Sequence, residues 1–275
     1  MLPPIASNFI AGETPDAALD HVAALNDRGV GGILNLLGEH YDAYENAAAD
    51  TEAYVDLVRG IETRDLDACI SVKPSQLGLD IDGEVFKRNA ARIVNEAECL
   101  VWFDMEDHTT TAATLDVYEK HAEETDGTVG VCLQANLLRT GEDLHRLADK
   151  PGTVRLVKGA YDEPAEISHK RKEKIDAVYR DQLEFMFREF DGGIAVGSHD
   201  PAMIDHAKQL HEQYGTPYEI QMLMGVREDA QTDLAEDVDV YQYAPYGSKW
   251  LSYFYRRVRE RKGNLAFAAR AIVSG

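Results

Sequence analysis

The chain has 275 residues, of which 44% are hydrophobic, and its formal net charge is −21. This length is close to the roughly 250 residues typical of a (β/α)8 barrel, so we expect one barrel domain that spans residues 1–275. A surface this acidic repels phosphate groups, which argues against a nucleic-acid partner.

Several features of the sequence favour a cytoplasmic protein. No run approaches the 18 or more apolar residues that cross a bilayer, and the first residues show neither a basic leader nor an apolar stretch. Cys69, Cys99 and Cys132 lie in apolar runs without CxxC spacing, which is typical of buried thiols. The acidic residues are spread along the chain, and we interpret them as a halophilic surface whose self-repulsion is screened by high internal salt.

Eight short apolar runs follow one another along the chain, with amphipathic segments between them. The runs cover residues 32–37, 68–73, 99–104, 129–134, 153–158, 194–199, 218–224 and 238–243. The segments with helical spacing include residues 17–28, 82–98, 110–124, 167–190 and 202–214. Eight strand–helix units predict an α/β fold, a single-domain TIM-type (β/α)8 barrel. No GxGxxG turn follows the first run, which argues against a Rossmann sheet.

Polar side chains cluster at the carboxyl ends of the predicted strands. In a closed barrel these ends share one rim, which is the face that carries active sites in this fold. We therefore expect a single site built from several strands. The residues concerned are Lys73, Asp104, Gln134, Arg155, Lys158, Ser198, His199, Gln221 and Tyr243.

The last predicted strand turns into a helix that is suited to hold a small carboxylate. If Ser248 caps this helix, Tyr253, Arg256, Arg257 and Glu260 lie on one face. The planar fork of arginine matches two oxygens of a carboxylate or phosphate group. The alternative is a solvated basic helix end, because cations favour helix C-termini.

Three further patterns are open to more than one interpretation. Lys158 is either a Schiff-base nucleophile of the aldolase kind or a phosphate or flavin contact. The segment 104–108 carries carboxylate and imidazole side chains of the kinds that bind metal ions. In a strand, however, Asp104 and Glu106 would point to one side and Asp107 to the other, so we predict no metal. Residues 198–200 lack the nucleophile that a hydrolase triad needs. The remaining histidines are expected at the surface, and they include His21, His121, His145, His169, His206 and His211.

The chain resembles the flavin-dependent proline dehydrogenases in their compact, single-function form. The resemblance covers nearly the whole chain in order, and its most specific parts are the RLVKGAY motif and the YAPYG motif followed by YxxRR. These motifs occupy residues 155–161, 243–247 and 253–257, and shorter matches include residues 71–78, 104–107, 198–200 and 219–225.

The resemblance implies a catalytic barrel that holds noncovalent FAD over its strand ends and oxidises L-proline to 1-pyrroline-5-carboxylate, the first step of proline catabolism. Tyr253 falls where the family distinguishes proline from 4-hydroxyproline, and Glu260 matches an acid that pairs with the arginines. The implied catalytic residues are Asp104, Arg155 and Tyr243. The implied substrate-binding residues are Lys73, Leu223, Tyr253, Arg256 and Arg257. The implied cofactor-binding residues are Met105, Gln134, Lys158, Gly159, Ala160, Ser198, His199 and Gln221.

The resemblance also implies partners. Electrons would pass to a quinone, which requires transient association with the inner face of the membrane. A separate pyrroline-5-carboxylate dehydrogenase would act downstream, because the chain carries no aldehyde dehydrogenase module. Two other functions remain open from the sequence: a Schiff-base aldolase that uses Lys158 or Lys73, and a flavin-free barrel that acts as a binding or regulatory protein.

Overall fold

The computed structural model describes residues 8–251, which form a closed barrel of eight parallel strands. Each strand pairs with the next one in sequence, and the last strand pairs with the first. The strands are β1 (Gly31–Leu36), β2 (Ala68–Val72), β3 (Val101–Phe103), β4 (Val129–Gln134), β5 (Thr153–Val157), β6 (Gly193–Gly197), β7 (Glu219–Leu223) and β8 (Asp239–Tyr246). All eight predicted strands and the predicted fold class are confirmed.

Helices alternate with the strands and cover the outside of the barrel. The helices are α1 (Pro15–Asn26), α2 (Tyr44–Thr63), α3 (Gly83–Val94), α4 (Thr111–Glu124), α5 (Thr140–Leu147), α6 (Lys172–Glu189), α7 (Pro201–Tyr214) and α8 (Glu228–Leu234). The five segments with helical spacing are all confirmed as helices, and α2, α5 and α8 complete the predicted alternation of strands and helices. No described helix is both long enough and apolar enough to cross a membrane.

Alternation along the strands produces two layers of buried side chains. Residues that face outward, such as Val72 and Phe103, pack with the helices in the main core. Residues that face inward include Trp102 and Tyr241, whose rings fill the lower part of the barrel. A Cβ added at Gly31 would overlap the Tyr241 ring, so only glycine leaves room for that ring. The inward-facing polar residues that line the mouth lie above this filled layer, towards the carboxyl ends of the strands.

Two expectations about individual residues are wrong. His121 is only 2% exposed, because α4 turns it inward to stack on Phe103 with ring centroids 6.4 Å apart. Burial lowers the pKa of His121. Cys99 is partly exposed, whereas Cys69 and Cys132 are buried as expected, and all three are free thiols. The other five histidines predicted at the surface are at least partly exposed.

Candidate active site

A cavity of about 400 Å³ opens at the mouth of the barrel. Its walls come from the carboxyl ends of β2 to β8 and from the loops that follow them. Every predicted site residue among residues 8–251 lines this cavity: Lys73, Asp104, Met105, Gln134, Arg155, Lys158, Gly159, Ala160, Ser198, His199, Gln221, Leu223 and Tyr243. The fold therefore brings together residues that are up to 170 positions apart in sequence.

Asp104, directly after β3, is the point at which the polar side chains of the cavity meet. Its Oδ1 accepts hydrogen bonds from Ser71 Oγ, at 2.6 Å, and from Nη2 of Arg155. Its Oδ2 accepts from the hydroxyl of Tyr243 at 2.6 Å and lies 3.9 Å from Lys73 Nζ. One carboxylate thus holds two cations and two hydroxyl groups in place.

Arg155 projects from β5 into the barrel and is fixed on several sides. Its Nη1 donates to Oε1 of Gln221 at 2.8 Å, while Nη2 donates to Asp104. The guanidinium carbon lies 4.9 Å from the ring centroid of Trp102 and 5.7 Å from that of Tyr243, within the range of cation–π attraction. Its side chain is 6% exposed, so this cation is held in a site with little water.

The charges of Asp104 and Arg155 stabilise each other despite their burial. Burial alone would raise the pKa of Asp104, but Arg155 and Lys73 more than offset it and hold that pKa below its usual value. Burial alone would lower the pKa of Arg155, but the neighbouring Cys132 thiol and Asp104 hold it above its usual value. Asp104 is therefore a fixed anion and Arg155 a fixed cation at neutral pH.

The two lysines considered as Schiff-base nucleophiles are engaged with other side chains. Lys158 Nζ donates to Asp176 at 2.5 Å and to Asp200 at 2.7 Å. Lys73 Nζ donates to Oδ1 of Asn35 at 2.8 Å. Two carboxylates around Lys158 are the opposite of the apolar or cationic surroundings that activate such a nucleophile.

The loop after β5 forms a cradle of exposed backbone at the cavity wall. Gly159 has φ +117°, and an added Cβ would overlap Oδ1 of Asn136. Gln134 holds this loop, because its Oε1 accepts from the backbone N–H of Ala160 at 3.1 Å. The same buried Oδ1 of Asn136 finds no hydrogen-bond partner among the residues that the structure describes. Gly159 has no side chain and lies next to the unsatisfied Oδ1 of Asn136. This arrangement fits the close approach of a large ligand with polar edges, such as a flavin.

Comparison with known proteins places the chain in a family. A family model described as Proline dehydrogenase matches residues 18–270. Proline dehydrogenase 2 of Bacillus subtilis (strain 168) is 33% identical over 272 residues, which is 96% of this chain and 88% of that protein. Proline dehydrogenase of Deinococcus radiodurans is 34% identical over 282 residues, which is 98% of this chain and 91% of that protein. The chain belongs to the proline dehydrogenase family.

Solved structures agree on the fold of this proline dehydrogenase family member. Proline utilization A from Bdellovibrio bacteriovorus, inactivated by N-propargylglycine, superimposes with a TM-score of 0.84 at 22% identity. The match covers 95% of this chain and 33% of that protein, so the chain spans about a third of its length. Proline utilization A from Corynebacterium freiburgense matches with a TM-score of 0.76 at 20% identity. That match covers 93% of this chain and 31% of that protein.

Part of the predicted proline dehydrogenase site lies outside the described residues. Tyr253, Arg256, Arg257 and Glu260 belong to residues 252–275, so the predicted carboxylate-binding face stays a prediction. Lys249, which precedes them, donates a hydrogen bond to the hydroxyl of Tyr41.

The structure also shows partners of the predicted site residues that the sequence patterns did not indicate. Asn35, Ser71 and Trp102 contact the predicted site residues from within the barrel. The strand period could have found two of them, because Ser71 lies two residues before Lys73 and Trp102 two before Asp104.

The metal-ligand types of residues 104–108 do not converge. Glu106 accepts from the backbone N–H and the hydroxyl of Ser75, at 2.8 and 2.7 Å. His108 Nδ1 lies 2.6 Å from Oε2 of Glu163. Within residues 8–251 no three His, Cys, Asp or Glu side chains are grouped as a metal site would require.

Proposed function

We propose that this member of the proline dehydrogenase family oxidises L-proline to 1-pyrroline-5-carboxylate in the cavity at the barrel mouth. The observation that supports this most directly is the fixed ion cluster of Asp104, Arg155 and Lys73 beside a cradle of bare backbone. An amino-acid substrate needs charged groups that hold it in one orientation, and an enzyme of this kind mainly positions its reactants.

We infer that FAD is the cofactor of this cavity. Bound FAD would supply the acceptor for the hydride that proline loses. Gly159 and Ala160 would offer backbone to the flavin, while Gln134 and Gln221 would offer amide groups. The other residues that would hold it are Met105, Lys158, Ser198 and His199, all of which line the cavity.

The ion cluster would orient the substrate and favour charge transfer. Arg155 is a buried cation that does not need to move, so it would stabilise negative charge that develops beside it during the reaction. Arg256 and Arg257 would bind the proline carboxylate, and Lys73 would line the substrate pocket. Leu223 and Tyr253 would pack against the ring. Asp104 and Tyr243 would keep the cations in place.

We further propose a quinone as the electron acceptor. A quinone acceptor implies transient association with the inner face of the membrane. We also propose a separate pyrroline-5-carboxylate dehydrogenase that takes up the product. The support for these partners is the resemblance of the sequence to the compact family members.

The test of cofactor and substrate is an anaerobic visible spectrum of the purified protein in high salt, before and after addition of L-proline. We expect flavin absorption that bleaches with L-proline and stays unchanged with D-proline. A protein that does not bind added FAD, or a borohydride-trapped adduct on Lys158 or Lys73, would contradict the proposal. For the acceptor, the reduced protein is mixed with a soluble quinone analogue or with dioxygen, and slower reoxidation by the quinone would contradict that part.

A further inference from the structure

Glu219, the first residue of β7, lies below the cavity and connects to it through two hydrogen bonds. Nε2 of Gln221 donates to Oε1 of Glu219 at 2.5 Å. Oε1 of the same Gln221 accepts from Nη1 of Arg155 at 2.8 Å. Nη2 of Arg155 donates in turn to Asp104. Glu219 itself is not among the residues that line the cavity.

The chemistry of these groups allows only one orientation of the Gln221 amide. A guanidinium offers only donors, and an ionised carboxylate offers only acceptors. The amide between Arg155 and Glu219 must therefore turn its oxygen to Arg155 and its nitrogen to Glu219. Because the guanidinium is planar, bonds from its two Nη atoms to Gln221 and Asp104 also fix the plane of Arg155.

We propose that Glu219 is a positioning residue for proline oxidation: it fixes the Gln221 amide and thereby holds the Arg155 guanidinium against Asp104 at the cavity. This inference rests on the proposed function of the cavity. It assigns a role to a partly buried carboxylate one layer below the reacting groups, which the cavity itself does not explain.

The surroundings of Glu219 make its charge sensitive to pH near neutrality. Burial, Asp239 and Asp67 raise the pKa of Glu219 to about 7, and the bond from Gln221 and the charge of Arg155 oppose this rise. Ionised Glu219 balances the charge of Arg155 from below, as Asp104 does from above. The titratable side chains around Glu219 are Arg155 of β5, Asp67 and Cys69 at β2, and Asp239 and Tyr241 of β8.

Two substitutions separate positioning from simple space filling. Glu219→Leu removes the acceptor for Gln221, whereas Glu219→Gln keeps an acceptor oxygen and removes only the ionisation. Asp239→Asn is the matched control, because Asp239 lies beside Glu219 in the register of β7 and β8. This substitution removes a nearby charge and leaves the hydrogen bond between Gln221 and Glu219 in place. Glu219→Ala replaces the Leu variant if that variant does not fold.

Stopped-flow reduction of the bound flavin by L-proline measures the effect on the reaction. We expect the rate constant at saturating proline to fall tenfold or more in Glu219→Leu and to stay within threefold of wild type in Glu219→Gln. The wild type should show an inflection near pH 7 that Glu219→Gln lacks. Asp239→Asn should keep the inflection but at lower pH, because the charge of Asp239 raises the pKa of Glu219. The proposal would be overturned if the rate constant of Glu219→Leu lay within twofold of the wild-type value. It would also be overturned if Glu219→Leu and Glu219→Gln lowered the rate constant equally.

Crystal structures of the flavin-free proteins provide a readout that does not depend on activity. In Glu219→Leu we expect the Gln221 amide to turn and its bond with Arg155 to be lost, and in Glu219→Gln we expect both to be kept. An unchanged Arg155 in the Leu variant would overturn the proposal. If wild-type flavin did not respond to L-proline, the proposed function would fail, while these structures would still decide whether Glu219 orients Arg155.

Discussion

Asp104 is the residue on which the balance of charge in the site depends. It is the common partner of Arg155 and Lys73, and Ser71 and Tyr243 donate to the same carboxylate. Burying a charge is unfavourable unless partners compensate it, so the whole group is stable only as a unit.

Replacement of Asp104 by Asn should therefore damage both stability and activity. Asp104→Asn leaves two buried cations without their common anion, which we expect to lower the free energy of unfolding by about 3 kcal/mol. We expect flavin reduction by proline to slow by about a hundredfold, as after the loss of other electrostatic groups in active sites. Urea unfolding of the flavin-free protein and anaerobic reduction measure the two effects.

The control for this substitution is Asp116→Asn on the surface of α4. Asp116 accepts a hydrogen bond from Arg146 at 2.7 Å, and its side chain is 65% exposed. An exposed pair contributes about 0–1 kcal/mol, so this variant should unfold almost as the wild type does. Equal destabilisation of the two variants would show that burial of Asp104 has no special energetic role.

Glu219 and Asp104 should affect stability in opposite directions as pH changes. The folded-state pKa of Glu219 is raised from 4.5 to about 7, so the folded state binds this proton more tightly than the unfolded state does. Its contribution should make the protein less stable as pH rises from about 4.5 to 7, by up to about 3 kcal/mol. The pKa of Asp104 is lowered, so its contribution is present above pH 3.8 and is lost as pH falls through the folded-state value.

The measurement is the free energy of unfolding at several pH values for the wild type and Glu219→Gln. The difference between the two proteins should change between pH 4.5 and 7 and remain constant above about pH 8. A difference that is independent of pH across this range would mean that Glu219 does not titrate there.

The sequence allowed prediction of the polar residues at the strand ends but not of their pairing. Strand alternation and the barrel rule place Asp104, Arg155 and Tyr243 on one rim. Their hydrogen bonds depend on relative heights around the barrel, and Tyr243 lies 139 positions from Asp104 in sequence. Glu219 was not predicted as a site residue, because it lies at the start of its strand.

Glycines determine where the strands and loops of this barrel come close together. Gly197 at the end of β6 is an example, since an added Cβ would lie 2.6 Å from Cγ1 of Val157 on β5. Gly159 in the loop after β5 combines such crowding with a positive φ of +117°. Both positions lie at the cavity wall, so the loss of either glycine affects the site as well as the fold.

Substitution of Gly159 by Ala should weaken FAD binding and lower stability. The added Cβ would overlap Oδ1 of Asn136 and force an L residue into a backbone conformation that it rarely adopts. We expect a loss of about 1–3 kcal/mol in the free energy of unfolding. Thermal melting and fluorescence titration with FAD measure the two effects.

Gly141→Ala in α5 is the matched control for that substitution. An added Cβ at Gly141 meets nothing within 4 Å, and alanine favours a helix over glycine by up to about 1 kcal/mol. This variant should be as stable as the wild type or more stable, with unchanged FAD affinity. Similar losses in both variants would show that the positive φ and the contact with Asn136 are not the cause.

Strands were easier to predict than helices, for a physical reason. The barrel strands are buried on both faces and appear in the sequence as continuous apolar runs. Helix α2 begins after Ala43, which makes no side-chain capping bond, so the sequence carries no capping signal for its start. The helix also carries several acidic residues, which make its apolar face harder to recognise in the sequence. Yet α2 supports the site, because the hydroxyl of its Tyr54 donates to the carbonyl oxygen of Ser71 at 2.8 Å.

At the scale of the whole molecule, surface arginines link neighbouring helices of a strongly acidic protein. Arg64 after α2 donates to Asp16 and Asp20 of α1, each at 2.7 Å. Arg146 of α5 donates to Glu119 and Asp116 of α4 at 2.6 and 2.7 Å. Each of these cations bonds two carboxylates. Salt would weaken these attractive pairs and would also reduce repulsion among the excess acids, so the net effect of salt depends on which contribution is larger.

The net charge of −21 indicates that repulsion is larger, so we expect salt to stabilise the protein. Exposed ion pairs contribute only about 0–1 kcal/mol each, whereas the excess charge acts over the entire surface. Scanning calorimetry of the flavin-free protein should show a melting temperature that rises with KCl. A melting temperature that fell as KCl was raised from low to molar concentration would contradict this view of the acidic surface.

The shape of that salt response identifies its cause. The screening length falls from about 10 Å at 0.1 M salt to about 3 Å at 1 M, so stabilisation by screening should be nearly complete at 1 M KCl. Arg146→Gln is the informative variant, because it removes two attractive pairs and leaves the acids. Its melting temperature should lie below that of the wild type in low salt and approach it in high salt. A deficit that stayed constant with salt would mean that Arg146 stabilises the helices by packing and not by charge.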